Sequence, residues 1–127
     1  MIQKKLLVAD RVRRPPREGF SWVDRRFLRL YAPHLTGDAI LLYFFLAAVS
    51  DQQGLSFYSD TSIATHLRMR EQTVVDAREE LLNQDLVAYQ HPLTQVLALP
   101  QERVARRGFQ ALEELVRTFE PPVERTP

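Results

Sequence analysis

The sequence predicts a mainly α protein with a small β-sheet, built on a helix-turn-helix. Three observations carry that expectation. Ser59 to Val87 reads as two helical patterns back to back with a tight turn between them. A long apolar run, Ala39 to Val49, precedes it. Two short apolar segments, Leu86 to Tyr89 and Gln95 to Leu99, follow it and end at Pro100.

In the first pattern of the motif, Ile63, Ala64 and Leu67 share one helical face, because positions i, i+1 and i+4 fall within a narrow arc. Ser59 is the expected N-cap, its hydroxyl accepting from a free N–H of the first turn. In the second pattern Val74, Ala77, Arg78, Leu81 and Leu82 recur at three- and four-residue spacing. Two such helices joined by a three-residue turn make a helix-turn-helix.

The first helix is expected from Gly37 to Ser50, capped by Thr36. Its interior is apolar all round, so it is expected to be covered on every side. Ile40, Leu41, Phe44, Phe45 and Ala48 are assigned to the core. Leu42, Tyr43, Leu46 and Val49 then need another cover, from the chain before Pro33, the chain after Pro100 or a second subunit. Gln52-Gln53-Gly54 reads as a turn and Leu55 to Tyr58 as a short strand. The two strands after the motif are expected to be joined by Gln90-His91-Pro92-Leu93-Thr94.

Ahead of Pro33 the reading is less regular. Phe20 to Val23 has strand character. Asp24 can cap a helix from Arg25 to Tyr31, with Phe27, Leu28 and Tyr31 on its apolar face and Arg25, Arg26 and Arg29 on the other. Trp22 and Tyr58 are assigned to the core rather than to a base-stacking role. At the other end, Gln101 to Glu120 is expected to be a helix with Val104, Leu112, Leu115, Val116 and Phe119 on one stripe. The stripe offers a homodimer surface, and Pro121-Pro122 stops the helix before a short tail, residues 121–127.

The charge is unevenly spread behind a net +1. Residues 1–31 carry Lys4, Lys5, Arg11, Arg13, Arg14, Arg17, Arg25, Arg26 and Arg29 against Asp10, Glu18 and Asp24. Residues 32–100 carry only Arg68, Arg70 and Arg78 against eight acids. A basic arm is tied to an acidic body, which is an argument about partners. Pro15-Pro16 keeps the arm, residues 1–19, out of a helix. It reads either as a solvated tail or as an arm that reaches phosphates or a minor groove.

The chain of 127 residues has room for one domain plus arms. With no cysteine it has no disulfide framework and no thiolate metal site. The apolar runs are too short for a signal peptide or for the ~20 residues of a membrane span. A soluble cytoplasmic protein with no membrane contact is expected. No phosphate-binding glycine loop or HExxH is present, and His34, His66 and His91 are scattered. No catalytic residue, metal ligand or cofactor is expected.

From Thr36 to Leu99 the chain resembles bacterial winged-helix DNA-binding domains, among them those of plasmid and phage replication proteins and small transcriptional regulators. The resemblance lies in Ser59, Ile63-Ala64, Leu67, Met69, Thr73-Val74, Leu81 and Leu86-Val87. It implies a winged helix-turn-helix over residues 20–100, with the motif at 59–85, the wing strands at 86–99 and double-stranded DNA as the partner. The second helix of the motif would enter the major groove by its first turns, where Arg68, Arg70, Gln72 and Thr73 are suited to bases or phosphates. Three positions depart from the family's pattern. Arg68 stands at a usual glycine, Arg70 at a usual capping serine, and Glu71-Gln72 where many members have basic residues.

Asp76, Glu79 and Glu80 add negative charge to the same helix. The remaining phosphate anchors would be Arg25, Arg26 and Arg29 with Arg13, Arg14 and Arg17 of the arm. Two function classes follow. One is a small non-enzymatic DNA-binding protein, either a transcriptional regulator or an accessory factor of replication or a mobile element. The other is an adaptor in a nucleoprotein complex, docking a basic partner on its acidic face.

Overall fold

A computed structural model describes residues 2–100 of the chain. The fold is mainly helical with a small three-stranded antiparallel sheet. The chain divides after Leu97 into two units, and the fold described is that of the first. The expected helix at 101–120, with its stripe of Val104, Leu112, Leu115, Val116 and Phe119, lies outside the described residues.

Helix α1 spans Gly37–Val49, α2 Asp60–Leu67 and α3 Glu71–Asn83. Strand β1 is Leu55–Ser56, β2 Val87–Gln90 and β3 Leu93–Val96. The strand order is β1-β3-β2, with Val87 opposite Val96 and Ser56 opposite Thr94. This order of elements is compatible with a winged-helix layout.

Helix α1 starts where Thr36 Oγ1 accepts from the Ala39 N–H at 3.2 Å, as a threonine N-cap should. It packs chiefly against α3. Its buried residues are Ala39, Leu42, Tyr43, Leu46 and Ala47, whereas Leu41, Phe44 and Ala48 are exposed. The expected orientation is therefore largely reversed. A helix that is apolar on every side has no periodicity to say which side faces in, and the packing partner decides. The chain before Pro33 supplies part of the cover. Phe27 lies flat on Tyr43, ring centroids 4.0 Å apart and 5° between planes.

That covering segment is not the helix expected from Arg25 to Tyr31. Phe27–Tyr31 forms one π-helical turn, followed by a 3₁₀ turn at Ala32–His34. Phe27 and Tyr31 are fully buried, but Leu28 is 61% exposed and belongs to no apolar face. Phe20 to Val23 forms no strand, and Trp22 is 73% exposed. Tyr58, also assigned to the core, is exposed at the surface, its ring 5.3 Å from that of Phe45.

The motif itself follows its caps. Ser59 Oγ accepts from the Ser62 N–H at 3.0 Å and opens α2. Ile63 and Ala64 of α2 pack inward with Val74, Ala77 and Leu81 of α3. The hairpin after α3 is tighter than expected. Gln90 pairs with Leu93, so the turn is His91-Pro92 alone, through a cis peptide bond. The strand expected at Gln95 to Leu99 begins two residues earlier, at Leu93, and the strand expected at Leu55 to Tyr58 ends at Ser56.

Two side chains of α3 hold the other elements. Glu80 accepts from the backbone N–H and the hydroxyl of Thr36, at 2.9 and 2.6 Å, and so clasps the start of α1. Arg78 is buried. Its guanidinium pairs with Asp60, in the first turn of α2, and lies 4.1 Å over the ring of Tyr89 on β2. In the turn before β1, Asp51 Oδ1 accepts from the N–H groups of Gln53 and Leu55. Gly54 has φ +86°, and a Cβ there would meet the Val96 carbonyl oxygen at 2.5 Å.

Replacing Arg78 by Met keeps the stem and removes the charge. It should destabilise the protein by about 2 kcal/mol. That lies below the cost of breaking a fully buried pair, because Asp60 is 31% exposed and regains water. A urea unfolding curve of Arg78→Met against the parent chain reads the difference. A double-mutant cycle with Asp60→Asn should be less than additive.

Candidate nucleic-acid interface

The turn between α2 and α3 is the residue trio Arg68-Met69-Arg70. Arg68 ends α2 in the left-handed region, φ 57° and ψ 49°, where its own N–H and that of Met69 both donate to the Ala64 carbonyl. Such a conformation costs an L-residue about 1–2 kcal/mol, and glycine would be the relaxed choice there. Arg70 is the N-cap residue of α3 and makes no side-chain cap. The free N–H groups of the first turn of α3 are left to water or a ligand. Glu71 stands in that turn, a favourable site for a carboxylate beside the positive helix end.

Arg68, Arg70 and Gln72 are exposed and Thr73 is half-buried, all four gathered at one end of α3. Gln72 Nε2 donates to Asp76 Oδ1 at 2.9 Å, one turn further on. The carboxylate takes one amide hydrogen. The second hydrogen and the carbonyl oxygen remain for a base edge, and a glutamine meets adenine through those two groups. Asp76 therefore orients the glutamine as well as adding charge. Glu80 is not part of the exposed acidic row, since it clasps Thr36. The row is Glu71, Asp76 and Glu79, all exposed. The hairpin adds no cation, for the sequence has no Lys or Arg between Glu79 and Glu102.

The other expected anchors separate into two groups. Arg13, Arg14 and Arg17 lie on the arm and are exposed. Among the described residues no hydrogen bond or ion pair joins them to α3. Arg25 and Arg29 are exposed too. Arg26 is not a free anchor: it grips Asp24 through Nε and Nη2, the closest contact 2.6 Å. The Arg26 hydrogen bonds hold the Asp24 carboxyl at a pKa of about 2 instead of 3.8. A depressed pKa means a contribution that is complete above 3.8 and is lost as the pH falls toward 2. The clamp is thus closed at every pH near neutral.

The expectation that Trp22 sits in the core hid an exposed aromatic pair, Phe20 and Trp22, between Arg17 and Arg25. The available signal was their place: they follow Pro15-Pro16 and Gly19 and stand between Arg17 and Arg25. His66 is exposed, its Nδ1 2.8 Å from the Ser62 carbonyl. His91 Nδ1 lies 3.1 Å from the Tyr89 hydroxyl. Among the described residues no three His, Asp or Glu side chains gather as metal ligands, and no helix is long and apolar enough to cross a membrane. No protein-family model, no curated protein and no solved structure matches the chain.

Arg68→Gly relieves the left-handed strain and removes one surface charge. The variant should be about 1 kcal/mol more stable by chemical denaturation. If Arg68 contacts a phosphate, the same variant should bind DNA more weakly at low salt. A stability gain with an affinity loss separates the two roles in one protein.

Proposed function

We propose that the chain is a small non-enzymatic winged-helix DNA-binding protein, a transcriptional regulator or an accessory factor of replication or of a mobile element. The observation that carries the reading is the exposed start of α3. Arg68, Arg70, Gln72 and Thr73 stand together there, while Val74, Ala77 and Leu81 of the same helix are buried behind them. The order of helices and strands supports a winged helix with His91-Pro92 at the tip of its wing.

In this reading α3 enters the major groove by its first turns. Gln72, held by Asp76, reads an adenine edge, and Arg70 takes a guanine or a phosphate. Two arginines at the turn are few for a duplex, whose backbone supplies much of the affinity. The arm provides the rest through Arg13, Arg14 and Arg17, with Arg25 and Arg29 beside it. The exposed row Glu71, Asp76 and Glu79 with the cation-free hairpin favours a second reading. There the same face docks a basic protein, and only the arm meets nucleic acid.

A titration of random duplex at several salt concentrations tests the proposal. The full chain should bind. Removal of residues 1–19 should weaken binding and flatten the salt slope by about 0.9 for each phosphate that the arm neutralises. Glu71→Arg should tighten duplex binding if α3 faces DNA. An unchanged isotherm for that variant, with the arm still required, would assign α3 to a protein partner.

A further inference from the structure

Phe20 and Trp22 have no place in the core and none in the duplex-reading face. Phe20 is 67% and Trp22 73% exposed, which is unusual for large apolar rings on a surface that covers little else. The segment that carries them is nonetheless held. Before it, the Gly19 N–H donates to the Pro16 carbonyl at 3.1 Å and closes a turn, with Gly19 at φ +100°. Within it, the Ser21 hydroxyl donates to the Ala48 carbonyl of α1 at 3.1 Å. After it, the Asp24 carboxylate takes the Arg26 N–H, and the Asp24 carbonyl takes the Phe27 N–H at 2.9 Å. Phe27 in turn is stacked on Tyr43.

Exposed arginines stand on both sides of the rings: Arg13, Arg14 and Arg17 before, Arg25 and Arg29 after. The two rings are two residues apart, at most about 7 Å along the chain. That spacing along the chain puts both rings within reach of neighbouring bases of one unstacked strand. A duplex keeps its base faces in its own stack, and the rings reach them only at the cost of unstacking a step. A single strand offers both the faces and the phosphates.

We propose that the segment from Arg13 to Arg29 is a binding site for single-stranded nucleic acid, with Phe20 and Trp22 as stacking platforms and the flanking arginines on the phosphates. Arginine-flanked aromatic rings on a held backbone are the elements such sites use. From Ser21 to Phe27 the backbone is already held by the fold, which lowers the ordering cost of binding beside Trp22. The rings are distinct from the start of α3, but the flanking arginines are those that the proposed function gives to duplex phosphates, so a single strand and a duplex compete for them.

Trp22 is the sole tryptophan of the chain, so its fluorescence reports the site directly. Oligo-dU and oligo-rU of equal length, titrated into the full chain, should quench it, and the stronger of the two identifies the sugar preferred. Binding of a labelled oligo-dT, followed by anisotropy, should weaken about tenfold in Trp22→Ala and be largely kept in Trp22→Phe. A labelled duplex, measured in parallel, should bind the parent chain and Trp22→Ala alike, which keeps this test apart from that of duplex binding. Oligonucleotide binding without quenching would overturn the proposal in favour of charge alone. Equal losses for duplex and single strand would overturn it too, as would a concentration-dependent blue shift without nucleic acid, which would mean that a second copy covers the rings.

Discussion

Arg78 is the charge on which the arrangement of the body depends. Its guanidinium is nearly removed from water, and three elements converge on it: α3 carries it, α2 offers Asp60 and β2 offers the ring of Tyr89. A buried cation is costly unless it is paired and hydrogen-bonded. The angle between α2 and α3, and the seat of the hairpin against both, are therefore restricted to those that keep Asp60 and Tyr89 in reach. Glu80, half a turn on, makes the matching contact on the other side with Thr36 at the start of α1. Of the three arginines between residues 32 and 100, one is spent on the scaffold, and the remaining two both lie in the turn before α3.

The motif was legible because its signals are local. Ser59 as a cap and the spacing of Ile63, Ala64, Val74, Ala77 and Leu81 depend on neighbours within two turns, and these features stand where they were expected. The orientation of α1 was not legible, because thirteen consecutive helical residues with almost no polar member offer no contrast between faces. Only the partners, α3 and the Phe27 ring, decide it. The π-helical turn at Phe27–Tyr31 was not legible either: Phe27 and Tyr31 share a face in a regular helix as well, so their spacing does not distinguish the two. Hairpin register failed at its turn, where a two-residue connection replaced an expected loop of five and moved β3 forward.

The candidate site was legible in its residue types and less so in its allegiances. Arg68, Arg70, Gln72 and Thr73 are together at the start of α3. Residue order alone does not reveal that Arg26 belongs to Asp24, that Glu80 belongs to Thr36, or that Asp76 holds Gln72. Each of these pairs joins a charge to a partner whose own role was read separately. Net charge along a chain overstates what a surface offers, because ion pairs and caps withdraw charges from it in pairs. Trp22 is the converse case, an apolar side chain withdrawn from the core.

Gly54 carries a consequence for how this chain would be read among relatives. It is half-buried in the turn before β1, no side chain fits between its Cα and the Val96 carbonyl, and its own carbonyl accepts from the Val96 N–H at 2.8 Å. This contact extends the pairing of the short edge strand β1 with β3 by one residue. An unvarying glycine at that place would record the closeness of two backbones, and it would be a mistake to count it toward a binding surface. Variation at Arg68, by contrast, where glycine is the relaxed choice, would record what the turn is used for.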